Sequence, residues 1–234
     1  MRARWLGMLL ACCCSAFVSA AEHGAPKQIH LASEVWPGHT NADGTGLVWD
    51  VLREVFSPLG VTVQVRNEPY SRALGLALRG KADAVVGLYQ NEIAGLVYPR
   101  WPYAEDAVAA LGLTRMPMPS VKTLGKYRLL WMLGYGYQSY LPGLSLYQEV
   151  QRRDPVLAML QEGRADYFID DDDELISMLA TAEHPEKFRL RPLQYLSLYI
   201  GFAQTADGRA LAKLYDQRMD VLVRSGQLRA IFQR

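Results

Sequence analysis

A twelve-residue pattern occurs twice in the chain, and its two copies limit the fold more tightly than any other feature. Leu76-Ala77-Leu78-Arg79-Gly80-Lys81-Ala82-Asp83-Ala84-Val85-Val86-Gly87 is echoed by Met159-Leu160-Gln161-Glu162-Gly163-Arg164-Ala165-Asp166-Tyr167-Phe168-Ile169-Asp170. Each copy reads as a helix end, a Gly-basic-Ala-Asp turn and an apolar strand. Gly80 and Gly163 stand where the residue after a helix takes the left-handed conformation that closes the last turn. Lys81 and Arg164 stand where a cation suits the helix dipole. The runs that follow, Ala84-Val85-Val86 and Tyr167-Phe168-Ile169, read as strands covered on both faces, as in a parallel sheet. Two similar α/β units predict two similar lobes, and the space between two lobes is the natural place for a small molecule.

With 234 residues the chain has room for one large domain or two lobes of roughly 100 residues each, either of which can bury a core. A formal net charge of +1 gives no electrostatic reason to expect nucleic acid or an anionic membrane surface as partner. The N-terminus is more telling. Arg2 and Arg4 precede an apolar run from Trp5 to Val18, and the small residues at Ser19-Ala20-Ala21 make a signal-peptidase site, so residues 1–21 read as a signal peptide and the mature chain as exported. All three cysteines, Cys12, Cys13 and Cys14, lie in this run, so the mature chain is expected to carry neither disulfide nor thiol nucleophile. Leu9-Leu10-Ala11-Cys12 loosely resembles a lipoprotein box, with Leu10 a poor fit. Beyond the signal no run approaches the ~20 apolar residues of a membrane span.

Along the mature chain, Gln28 to Val35 reads as an opening strand that stops at Trp36-Pro37-Gly38, followed by the turn-rich Asn41-Ala42-Asp43-Gly44-Thr45-Gly46. Leu47, Val48, Val51, Leu52, Val55, Phe56 and Leu59 keep helical spacing up to Pro58 and Gly60. Val61, Val63 and Val65 alternate as a strand does. Ser71 to Arg79 is predicted to be the helix of the first repeat and Asp83 to Tyr89 its strand, a right-handed parallel arrangement by default. Ala107 to Thr114 reads as a long strand leaving this lobe. After Met116-Pro117-Met118-Pro119, a second unit is expected to begin with the strand Arg128 to Leu133 and the loop Gly134 to Ser139. Arg191 to Phe202 reads as a returning strand, and Leu211, Leu214, Tyr215, Leu222 and Val223 mark an amphipathic terminal helix. Two long strands running between lobes predict a two-strand hinge, about which binding proteins close.

Several segments resemble the family 3 extracellular solute-binding proteins: Asp43-Gly44-Thr45-Gly46-Leu47, Pro69-Tyr70-Ser71-Arg72-Ala73-Leu74, Gly80-Lys81-Ala82-Asp83-Ala84, and Tyr98-Pro99 ahead of Pro102-Tyr103. In the second half Gly163-Arg164-Ala165-Asp166, Gly201-Phe202-Ala203 and Ser225-Gly226-Gln227-Leu228 agree. The resemblance implies an α/β, two-lobe periplasmic-binding-protein fold of type II, each lobe a mostly parallel sheet flanked by helices. Lobe 1 would span 22–112 and lobe 2 113–202, with 203–234 returning to lobe 1. It also implies a periplasmic location, no cofactor and no metal, and a small polar ligand resembling an amino acid, organic acid or amine. The closed form, expected to be monomeric, would be read by an ABC permease or a sensor protein, the only link to a membrane. One departure stands out. Amino-acid binders of the family carry a Thr/Ser-x-x-Arg segment whose Arg pairs with the ligand carboxylate, whereas here Tyr89-Gln90-Asn91-Glu92-Ile93 puts Ile93 at that position. A desolvated carboxylate without a cationic or well-aligned donor is costly, so Arg72 or Arg100 would have to supply the charge for an acid ligand.

In lobe 1 the candidate ligand-binding residues are Trp36 and Tyr89 at strand ends, Gln90 beside Tyr89, and Tyr70 and Arg72 at a helix start, where free N–H groups gather. The alternatives are lobe core for the aromatics and a solvent-exposed helix arginine for Arg72. In lobe 2 they are Tyr137 and Gln138, in a loop whose Gly134 and Gly136 allow a backbone nest, and Asp170 and Asp171. By spacing from Asp166, Asp171 corresponds to the family Asp that receives the ligand amino group, with Asp172 or Asp173 left to cap the next helix. The Asp170–Asp173 run lacks the alternation, central Gly and terminal Glu of a calcium loop.

Catalytic motifs are missing from the sequence: it has no Gly-x-Ser-x-Gly elbow, no zinc-ligand pair at helical spacing and no P-loop, and its four histidines are scattered. The rival from another class is a cleft enzyme on the same scaffold, a dehydratase or lytic transglycosylase, with Glu34 or Glu92 as general acid.

Overall fold

In the computed structural model the described residues are 26–232. The expected signal peptide, its cysteines and its cleavage site lie outside them. The first lobe is built on β1 (Gln28–Ser33), which pairs in parallel with β2 (Thr62–Asn67) on one side and β3 (Ala84–Tyr89) on the other. β3 is apolar and almost wholly buried because helices cover both faces of the sheet there. One face packs against α1 (Leu47–Phe56), where Trp49 and Phe56 are fully buried with residues of the C-terminal helix; the other packs against α2 (Tyr70–Leu78) through Ala73 and Ala77. The short β4 (Leu96–Val97) adds an antiparallel edge.

β5 (Ala104–Leu113) then runs out of this lobe. In the second lobe β6 (Leu129–Met132) pairs in parallel with both β7 (Tyr147–Val150) and β8 (Tyr167–Asp171), and α3 (Val156–Gln161) and α4 (Asp172–Ala180) flank them. The 16-residue β9 (Phe188–Ala203) returns antiparallel to β5. The chain ends on lobe 1 in α5 (Ala206–Ser225) and α6 (Gln227–Ile231), a terminal helix that the left-handed Gly226 splits in two. The strand order is β2-β1-β3-β9-β5-β8-β6-β7. No helix among the described residues is long and apolar enough to cross a membrane.

Where the lobes meet, β3 grips β9 at Leu198 to Phe202, and β8 grips β5 at Val108 to Gly112. Between these grips Glu105–Ala107 and Tyr195–Ser197 pair only with each other. This is a two-strand joint, and the crossing falls inside β5 and β9 rather than at their ends. β5 begins at Ala104, three residues before the sequence suggested, so the acidic Glu105 and Asp106 stand on the hinge itself.

The repeated turn does the same work in both lobes. Gly80 and Gly163 have φ of 62° and 67°, the left-handed closure expected of them. The repeated aspartate then locks strand register. The Asp83 carboxylate accepts the His30 N–H at 2.7 Å while the Asp83 N–H donates to the His30 carbonyl. Asp166 makes the same pair of bonds with Arg128, its carboxylate accepting the N–H at 2.8 Å. Each aspartate therefore ties its strand to the parallel neighbour. Asp83→Ala and Asp166→Ala should each lower the unfolding free energy by about 1–3 kcal/mol, the cost of stranding a backbone donor, as urea denaturation would measure.

Candidate functional site

A cavity of about 240 Å³ lies between the lobes, over the hinge. Its walls come from the C-terminal ends of strands, where open α/β sheets place ligands. Trp36 follows β1, Tyr89 and Gly87 end β3, Tyr135 and Tyr137 follow β6, and Asp170 and Asp171 end β8. Asp106 rises from β5 in the floor, and Tyr70 opens α2. The rings form an arc that passes between lobes: Trp36 to Tyr70 at 6.1 Å between centroids, Tyr70 to Tyr135 at 5.5 Å, Tyr135 to Tyr137 at 6.0 Å and Tyr137 to Tyr89 at 6.0 Å. Such tilted and edge-on pairs suit the aromatic quadrupole.

Arg153, from the loop after β7, joins the lobes. Its Nε donates to the fully buried Asp170 carboxylate at 2.8 Å, and Nη2 donates to the Tyr135 hydroxyl at 2.9 Å. Glu174 lies 3.3 Å from Nε within lobe 2, and Glu34 of lobe 1 lies 3.5 Å from Nη1. The Tyr135 hydroxyl also accepts the Trp36 indole N–H at 3.0 Å across the cleft. At the rim His39 of lobe 1 meets Asp173 of lobe 2 at 3.2 Å.

Two carboxyls, in lobe 1 and on the hinge, are held without a cation among the described residues. Glu92 accepts the Tyr70 hydroxyl at 2.7 Å and the Tyr89 N–H at 2.8 Å. Burial pushes its pKa up to about 7 against the pull of those two donors. Asp106 accepts the Tyr89 hydroxyl; burial, then the neighbouring Asp171, hold its carboxyl well above the usual range. Asp170 is also raised by burial, to about 6, with Arg153 pulling it back.

Of the residues expected from sequence, Trp36, Tyr70, Tyr89, Tyr137, Asp170 and Asp171 line the cavity, and Arg72, Gln90 and Gln138 do not. Arg72 sits two residues beyond Tyr70 in α2, on the solvent side, with its side chain 63% exposed and paired to Glu68 at 3.1 Å. Gln90 follows the last residue of β3, so alternation turns it outward from Tyr89. Gln138 is exposed beside the buried Tyr137. The helix cap falls on Asp171, which accepts the Asp173 N–H at 3.0 Å and leaves Asp172 and Asp173 in the first turn. Ile93 packs against the α2 side of the lobe, and its N–H donates to the Tyr98 hydroxyl. Arg153, Asp106 and Tyr135 were absent from the sequence candidates.

Two α/β lobes on a two-strand hinge, with an aromatic and acidic cavity over the joint, define the type II periplasmic-binding-protein fold. Solved structures agree. The substrate-binding protein of an amino acid ABC transporter matches with a TM-score of 0.65 and 14% identity, over 87% of this chain and 96% of its own. The GluR0 ligand-binding core in complex with L-glutamate matches with a TM-score of 0.70 and 16% identity, over 90% and 99%. A histidine kinase sensor domain with similarity to periplasmic binding proteins matches with a TM-score of 0.69 and 14% identity, over 89% and 95%. No family model and no curated protein sequence matches the chain.

Two outcomes follow from the electrostatics. Arg153→Ala leaves Asp170 buried without its cation, which should cost about 3–5 kcal/mol. Arg153→Met combined with Asp170→Asn should recover most of that loss in chemical denaturation. For Glu92 the folded pKa of about 7 lies above the ordinary 4.5, so between those values the folded chain holds a proton the unfolded chain has released. Its contribution to stability is therefore full below about pH 4.5 and is lost as pH rises through 7, by up to about 3 kcal/mol. Glu92→Gln should flatten that part of the stability-versus-pH curve.

Proposed function

We propose that the chain is an exported, monomeric solute-binding protein of the family 3 type. It captures a small polar metabolite between its lobes and presents the closed form to a membrane partner. The observation that carries this is the shared cavity: Trp36, Tyr70 and Tyr89 of lobe 1 and Tyr137, Asp170 and Asp171 of lobe 2 face one space over a hinge. The N-terminal segment, with its basic start, apolar run and small-residue end, supports export to the periplasm. Binding without covalent chemistry suits the two candidate acids. Glu34 is engaged by Arg153 and by the Tyr70 N–H at 3.2 Å, and Glu92 by Tyr70 and Tyr89.

The partner is an ABC permease or a sensor protein. The likeness to the substrate-binding protein of an amino acid ABC transporter supports the first, and the likeness to a histidine kinase sensor domain supports the second. Thermal unfolding of the protein recovered from a periplasmic extract, against amino acids, amines, organic acids and sugars, tests the binding role. A ligand at 100 times its dissociation constant adds about 2.7 kcal/mol, a rise of roughly 5–10 °C for a chain of this size. Product formation from any of the compounds would instead favour the cleft enzyme.

A further inference from the structure

We infer that the cleft is selective for a small organic cation that carries no carboxylate, an amine rather than an amino acid; this rests on the cleft being a solute site. Eight of the lining residues are Asp or Glu, and none is Lys or Arg. Five of these carboxyls, Glu92, Glu105, Asp106, Asp171 and Asp172, have no ion-pair partner among the described residues, the other three being Asp170, Asp173 and Glu174. The guanidinium beside the cavity, that of Arg153, is already committed to Asp170, with Glu34 and Glu174 close by. A second, separate observation points to a ligand. The Tyr137 hydroxyl is wholly buried against the cavity, close to the Tyr89 hydroxyl, and no partner meets it with good hydrogen-bond geometry. It stands in the aromatic arc, whose faces attract an ammonium group. An ammonium entering here meets ring faces, unpaired carboxyls and a hydroxyl free to accept.

A ligand carboxylate finds no comparable receptor. The N–H groups that begin α1 donate to the protein's own carbonyls, Leu47 to Gly38 and Val48 to His39. At α2 the Tyr70 N–H goes to Glu34, and at α4 the Asp173 N–H goes to Asp171. In the Gly134–Gly136 loop, which the sequence suggested as an anion nest, the Gly134 N–H goes to Glu149 and the Tyr135 N–H to the Met132 carbonyl. An anion would enter an acidic cavity whose neighbouring donors are taken.

Isothermal titration calorimetry of the intact exported protein with matched pairs, each an amino acid and its decarboxylated amine, tests this directly. Suitable pairs are ornithine and putrescine, arginine and agmatine, histidine and histamine, and tyrosine and tyramine; choline against glycine betaine, the acid formed by oxidising its alcohol, makes the same comparison for a quaternary ammonium. The expected result is that at least one amine binds 100-fold or more tightly than its carboxylated counterpart, and that Asp106→Asn weakens that amine at least tenfold while far-UV circular dichroism is unchanged. Equal or tighter binding of the amino acid overturns the inference, as does amine binding indifferent to both Asp106→Asn and Glu92→Gln. Saturation by calcium or magnesium chloride alone overturns it in favour of a metal site. If a sugar or another neutral solute alone binds, the inference fails and the solute-binding role stands; if nothing in the wider panel binds, both fail.

Discussion

The bond between the Arg153 guanidinium and the Asp170 carboxylate holds the cleft in its observed form. Asp170 is fully buried, and a carboxylate there without a partner would be costly enough to shed its charge. Once Arg153 is fixed to Asp170, the rest of its fork has few places to go. It meets the Tyr135 hydroxyl, which in turn takes the Trp36 indole N–H, and it reaches Glu34 in the opposite lobe. The contact between lobes thus grows out of the interior of lobe 2. The rim pair His39–Asp173 is largely exposed and contributes little by comparison.

The two copies of the repeat explain why the lobes play different parts. Up to the aspartate they behave alike, with the same left-handed glycine and the same lock on the neighbouring strand. At the twelfth position they part: Gly87 in the first copy, Asp170 in the second. Gly87 has φ of +88°, and a Cβ there would come within 2.3 Å of the Trp36 ring. Lobe 1 omits a side chain so that an indole can lie on the strand end; lobe 2 keeps a carboxylate and sets a guanidinium on it. An internal pseudosymmetry therefore yields one aromatic wall and one ionic wall.

The features readable from sequence were those set by local order. Gly80 and Gly163 announce helix ends wherever the chain goes, and the long apolar runs around Ala107 and Ile200 announce strands too long for one lobe. β7 escaped because Tyr147–Val150 is short and largely exposed, with no apolar face to mark it. For the site, strand ends identified Trp36 and Tyr89, and the spacing from Asp166 pointed to Asp171 with Asp170 beside it, but which side of an element faces the cleft is a tertiary matter. A step of one or two residues sent Gln90, Gln138 and Arg72 into solvent. Arg153 had no local sign at all. It stands in Gln151-Arg152-Arg153-Asp154 beside a second arginine, and only the position of Asp170, seventeen residues on, tells them apart. Asp106 was hidden because the strand that carries it begins earlier than its apolar pattern does.

Arg153 also shows what the remaining carboxyls lack. Beside it Asp170 can be ionised near neutral pH although no part of it reaches water. Asp106 and Glu92, without such a partner, are pushed toward their protonated forms by the same burial. A cation arriving from solvent would do for them what Arg153 does for Asp170, favouring the charged forms and releasing the protons they hold. Ligand charge and lobe closure are then linked without the ligand having to bridge the lobes alone, since Glu34, Arg153, Trp36 and Tyr135 already do so. Only the difference in a ligand's affinity for the open and closed forms can shift that equilibrium. In the observed form the hinge carboxyl Asp106, the rings of both lobes and Tyr137 line one cavity, so the amine inferred above would gain from closure and a carboxylate would not.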